Sequence, residues 1–130
     1  PFVRGGLVPN ADLVALAQRS RIVMNLFRAA PGQTPESLNP RCYEMAAAGA
    51  CLISDVRAEV GERFGPSVPQ FITPAEAEAV IRALLADEGR RAQCAREARK
   101  AVTSETWTAR VSTMMANIHR WQRSPKLRSA

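Results

Sequence analysis

At 130 residues the chain has the size of one domain, long enough to bury a core without disulfides or metal. Apolar residues make up 46% and the formal charge is +6, a balance that argues against disorder and leaves nucleic acid, an anionic membrane surface and phosphorylated ligands open as partners. No apolar run is long enough to cross a membrane and no basic-then-apolar leader opens the chain; the first residue is Pro1, so an excised or processed piece is expected.

Asn10 or Asp12 is positioned to cap a helix through Gln18, in which Leu13, Leu16 and Ala17 fall at helical spacing. Residues 22–27 read Ile-Val-Met-Asn-Leu-Phe, a β-branched and apolar run expected to be a strand buried on both faces, as in a parallel sheet. Residues 28–38 contain Pro31, Gly32 and Pro35 and form a loop at the carboxyl end of that strand. Asn39 is a good N-cap, and Pro40 suits the first helical position, where its missing N–H has no intrahelical partner. The resulting helix, residues 40–48, carries Arg41 and Glu44 one turn apart, and Gly49 supplies the left-handed residue that closes it. Residues 50–54 then read as a short buried strand with Asp55 at its carboxyl end.

A short helix is expected over 56–64, ending near Gly65. Residues 68–72 make another strand, placed at a sheet edge by Pro69. Thr73 or Pro74 opens a helix with an apolar stripe of Ala77, Val80, Ile81, Leu84 and Leu85. A further helix covers about 89–101 with arginines on its outer face. The last, about 106–121, places Trp107, Val111, Met114, Met115 and Ile118 at the spacing of a core or interface stripe. Strands alternating with helices predict right-handed crossovers and a parallel sheet covered on both faces, a Rossmann-like three-layer α/β/α domain. Ligands in such sheets bind outside the carboxyl ends of the strands, which puts residues 28–39 and Asp55 on the rim.

The start of the helix at Pro40 combines free amides with a partial positive charge and suits phosphate, and a carboxylate one turn further in suits the hydroxyls of a sugar or ribose. Other chemistry has little support. Cys42, Cys51 and Cys94 are odd in number and lack C-x-x-C spacing, as expected of reduced thiols in a cytoplasmic protein, the first two as small buried apolar groups. His119 is the single histidine and has no acidic or cysteine neighbour at ligand spacing. No Walker loop, G-x-G-x-x-G, nucleophile elbow or zinc pattern occurs.

The string Arg41-Cys-Tyr-Glu44-Met-Ala-Ala-Ala-Gly49-Ala-Cys-Leu-Ile-Ser-Asp55 resembles the nucleotide-sugar-binding half of GT-B glycosyltransferases, in particular the CgeB-like group. Residues 20–25 are similar to the strand that precedes the motif in that group, and Thr106-Trp107-x-x-Arg110 looks like its late signature, so the resemblance runs from about Gly6 to about Trp121. It implies one half of a GT-B fold. Residues 1–121 would be a donor-binding domain of the group 1 type that lacks its N-terminal acceptor domain and its first strand, followed by a basic, frayed tail over 122–130.

By the same resemblance, Glu44 matches the second glutamate of the family's Glu-x7-Glu pattern and would bind the ribose of a nucleoside diphosphate sugar. Arg41 would lie beside the diphosphate, where its fork pairs two oxygens; a plain intrahelical pair with Glu44 is the bland reading of the same spacing. Glu36 matches the first glutamate by spacing alone: the family's Gly-rich turn is replaced here by Ser37-Leu38-Asn39-Pro40, and a solvated loop residue is an equal reading. Arg41 and Glu36 are thus the candidate catalytic residues. Glu44, Asn39 and Arg41 are the candidate donor-binding ones, Asn39 being first of all a cap. No cofactor and no metal are expected beyond the nucleotide-sugar donor, and no nucleic acid. The isolated domain would transfer little sugar, and its basic tail offers a peripheral contact with the inner face of the membrane. The alternative is a non-catalytic Rossmann-like binding or assembly module that keeps the fold without transferase activity.

Overall fold

The computed structural model describes residues 8–27 and 39–123. The loop expected over 28–38, with Glu36 in it, and residues 124–130 of the expected tail lie outside the described residues. The elements run α1 (Asn10–Arg19), β1 (Val23–Asn25), α2 (Pro40–Ala47), β2 (Leu52–Asp55), α3 (Ala58–Phe64), a 3-10 turn (Gly65–Ser67), β3 (Gln70–Phe71), α4 (Pro74–Ala86), α5 (Glu88–Ala101) and α6 (Trp107–Arg123). The described strands form one parallel sheet in the order β1-β2-β3, with Val23 opposite Leu52, Asn25 opposite Ser54, and Asp55 opposite Phe71.

Successive strand residues face opposite sides of a sheet, and β2 shows what that does here. Leu52 points into a cluster with Ala17 of α1, Cys42, Met45 and Ala46 of α2, and Val60 of α3. Cys51 and Ile53 point the other way, against Phe71, Ala77 and Leu84 of α4, and Cys94 of α5. Helices therefore cover both faces, and the domain is the Rossmann-like α/β/α sandwich that the alternation of elements implies.

Helix boundaries follow local chemistry. Asn39 Oδ1 accepts from the Cys42 N–H at 3.1 Å, Pro40 occupies the first turn, and Gly49 takes φ of 79° just beyond the last turn. Thr73 Oγ1 caps α4 through the Glu76 N–H, while the Glu76 carboxylate accepts from the Ile72 N–H, a reciprocal box. Asp87 caps α5 through the Arg90 N–H. At α1 the expectation fails: Pro9 holds the cap position with extended backbone and Asn10 is already helical, so neither Asn10 nor Asp12 caps. Asp12 falls inside the first turn, where its charge still suits the helix dipole.

Two burial expectations are corrected. The first strand is shorter than 22–27 and is not buried on both faces: Met24 is 40% exposed and Leu26 59%. Met24 lies opposite Ile53 on the face that α4 and α5 cover, but β1 is at the border of the described sheet; Ile22 packs against that cluster, and Met24 and Leu26 do not. The second concerns α6. Its stripe has core-like spacing, yet no residue of α6 is buried; Trp107, Val111, Met114, Met115 and Ile118 are all exposed. Periodicity reports that a face is apolar, and among the described residues none buries it.

Candidate functional site

The carboxyl ends of β1 and β2 and the start of α2 meet in a chain of side-chain hydrogen bonds. Asn39 Nδ2 donates to Asn25 Oδ1 at 3.0 Å, and Asn25 Nδ2 donates to Ser54 Oγ at 3.3 Å. Ser54 Oγ lies 3.4 Å from Asp55 Oδ1, whose other oxygen pairs with Arg57 Nη2 at 2.7 Å. The Arg57 guanidinium lies over the Phe27 ring at 4.5 Å, and its backbone N–H donates to Gln70 Oε1 at 2.7 Å. Asn25 and Ser54 are fully buried, so these polar groups are tolerated because they satisfy one another. The consequence is mechanical: the amino end of α2 is tied to the sheet through Asn39 rather than left to fray.

Of the first-turn groups of α2, Pro40 has no N–H and the Cys42 N–H is taken by Asn39. The Arg41 amide is the remaining first-turn donor with no intrahelical acceptor. Arg41 and Glu44 are both solvent-exposed and make no ion pair with each other. The bland reading of their spacing thus fails in this conformation. Asn39 is half-buried with both side-chain polar atoms engaged, as a cap and a tie. Asp55 does reach the rim, but its carboxylate is committed to Ser54 and Arg57.

Glu44 opens on a cleft of about 220 Å³ between α2 and the start of α6. Pro40, Tyr43 and Glu44 form one wall; Glu105, Trp107 and Arg110 form the other. Arg110 is held by two contacts, its guanidinium over the Tyr43 ring at 4.9 Å and its Nη2 at 3.2 Å from Glu105 Oε2. Glu105 is itself anchored to α3 through Arg63 Nη1 at 3.0 Å. A wider groove of about 780 Å³ runs along α6, past Met114, Ile118 and Trp121; it shares Glu105 and Arg110 with the smaller cleft, but no residue of α2 or of the strands lines it. The smaller cleft is the candidate site, because it adjoins the helix start and holds the carboxylate.

The three thiols lie in the core, Cys42 of α2 on one face of the sheet and Cys51 and Cys94 on the other. Burial, with a smaller contribution from Asp55, pushes the Cys42 pKa up to about 11. Burial likewise raises Cys51 to about 11 and raises Cys94. All three are free and buried; burial is expected of Cys42 and Cys51, and Cys94 joins them. Among the described residues no three His, Cys, Asp or Glu side chains group to hold a metal ion, and no helix is long and apolar enough to cross a membrane.

Sequence reasoning singled out Arg41, Glu44 and Asn39 but missed Asn25, Ser54, Arg57, Tyr43 and Glu105. One signal was available for Asn25: a lone amide inside an apolar strand must find partners when buried. The pairing of Arg110 with Glu105 and Tyr43 crosses three elements and has no local signature.

A parallel sheet with helices on both faces, and a capped helix starting at the strand carboxyl ends beside a cleft, define a Rossmann-like α/β/α domain. The chain belongs to the glycosyl transferase-like family, whose model matches residues 1–116. No curated protein and no solved structure matches it.

Proposed function

We propose that this is the donor-binding domain of a GT-B glycosyltransferase of the CgeB-like group, taking a nucleoside diphosphate sugar without a metal. The observation that carries the reading is Glu44: an exposed carboxylate, one turn inside a capped helix start that is tied to the strand ends, facing a cleft between α2 and α6. Phosphate meets the Arg41 amide and guanidinium at that helix start, where the dipole favours negative charge. Glu44 accepts hydrogen bonds from the ribose hydroxyls, and an ionised acceptor makes these stronger than neutral ones.

In transfer, the bond between the sugar's anomeric carbon and the diphosphate oxygen breaks, and the diphosphate leaves with the electron pair. An acceptor oxygen forms the new bond to that carbon and gives up its proton. The task of this domain is to hold the charge that grows on the departing diphosphate, a stabilisation fixed in place before reaction. The Arg41 guanidinium and backbone amide supply it; Glu36 is the second candidate for the donor sugar. Asn39 acts through the position of the helix start.

A separate N-terminal domain would bring the acceptor and whatever group takes its proton, which leaves residues 1–121 alone with little transfer activity. The uncovered apolar stripe of α6 supports a covering partner of that kind. Arg120 and Arg123, at the start of the basic tail, favour a cytoplasmic protein able to touch an anionic membrane face. The same stripe also favours the second reading, an assembly module without transferase activity.

Calorimetric titration of UDP, GDP and ADP separates the two. At least one should bind the chain, with Glu44→Ala weakening it about 10-fold or more through loss of charge-assisted hydrogen bonds, at an unchanged unfolding midpoint. Equal binding by Glu44→Ala and the parent chain, or none by either, would favour the assembly module.

A further inference from the structure

Trp107 is 80% exposed, an unusual position for the largest apolar side chain in a folded domain. It stands on the wall of the α2–α6 cleft opposite Glu44 and Ala47. The cleft, at about 220 Å³, is smaller than the roughly 300–1,000 Å³ of a complete small-molecule pocket, so it takes one part of a ligand rather than the whole.

The order of groups along α2 says which part. The helix begins at Pro40, Glu44 lies about 6 Å further along its axis, and Ala47 roughly 4.5 Å beyond that, at 1.5 Å per residue. If phosphate sits at the start and pentose at Glu44, as proposed above, the next group away from phosphate is the base. We infer that Trp107 is the stacking platform for the nucleobase of the donor, with Arg110 as the specificity residue beside it.

An exposed indole presents a flat π-face that any base can cover, and stacking removes apolar surface from water. The Arg110 guanidinium cannot drift: Tyr43 beneath it and Glu105 beside it fix its direction. A guanidinium only donates hydrogen bonds, so it selects base edges that carry carbonyl oxygens. Glu105 is in turn held by Arg63, which extends the support for this wall into α3. The inference rests on the donor-site reading and adds two residues to it that the Glu44 argument does not use.

The chain has two tryptophans, so Trp121→Phe leaves Trp107 as the only indole emitter. In that variant UDP, GDP and ADP are titrated in turn while indole fluorescence and the amide resonances of residues 40–47 are followed. The expected result is quenching of Trp107 by the nucleotide that shifts Arg41 and Glu44, with the carbonyl-bearing bases ahead of adenine. Ribose 5-phosphate, which has phosphate and pentose but no base, should shift the Glu44 amide and leave the fluorescence unchanged. Trp107→Ala in the otherwise native chain should weaken the nucleotide about 10-fold while leaving ribose 5-phosphate unaffected.

Nucleotide shifts at Arg41 and Glu44 without quenching, or equal quenching by ribose 5-phosphate, would overturn the stacking role while leaving the donor site standing. A chain in which no nucleotide shifts residues 40–47 at millimolar concentration would overturn both.

Discussion

Asn25 ends β1 with its amide sealed from solvent, accepting from Asn39 and donating to Ser54. Asn25→Leu fits the surrounding strand but takes a partner from the buried Ser54 and from the half-buried Asn39, and an unsatisfied buried group costs about 1–3 kcal/mol. Urea denaturation should show a loss of that order. Nucleotide affinity should fall as well, although Asn25 lies beneath the rim, because the start of α2 loses its tie to the sheet. Cys42 and Cys51 set a second residue-scale expectation. Their folded pKa values, both about 11, lie above the ordinary thiol value of 9.0 because burial disfavours the thiolate. The unfolded chain therefore releases these protons first as pH rises. Stability contributed by the neutral buried thiols is fully present below pH 9 and is lost between about pH 9 and 11. Urea midpoints at pH 7.5, 9 and 10.5 should be level over the first step and drop over the second, and Cys42→Ala should reduce the drop.

At the scale of elements, α2 is the helix most plainly written in the chain. Asn39, Pro40 and Gly49 act on their own neighbours through a cap, an expendable N–H and a left-handed residue. Asn39→Ala should cost about 0.5–2 kcal/mol as a lost cap, and more than other cap deletions because the Asn25 tie goes with it. Gly49→Ala isolates the backbone term. An added Cβ there would meet only Arg99 side-chain atoms at 3.9 Å, ordinary contact, so the cost comes from φ of 79° alone and should be about 1–2 kcal/mol by thermal melting. The elements that sequence misjudged are those whose surroundings decide the matter. The apolar run at Met24–Leu26 reads as central strand, but the extent of α4 and α5 fixes how much of it is covered. The stripe of α6 has the right period, yet a period does not name what packs on it. Of the candidate site, Arg41, Glu44 and Asn39 were legible because one helix carries them. Tyr43, Glu105 and Arg110 meet only through the placing of α6 against α2.

For the whole molecule, the charge of +6 and the uncovered α6 are the features that the sheet and its helices leave unused. Since no residue of α6 is buried, a chain ending at Val111 should keep the cooperative unfolding of the parent, measured by urea denaturation. The most direct test of the account is an amide-resolved titration of the labelled chain with UDP, GDP and ADP. Shifts confined to the start of α2 and the facing cleft, at Arg41, Glu44, Trp107 and Arg110, are the predicted result. A titration that leaves all four unmoved at millimolar nucleotide would contradict the assignment of this helix start as the donor site.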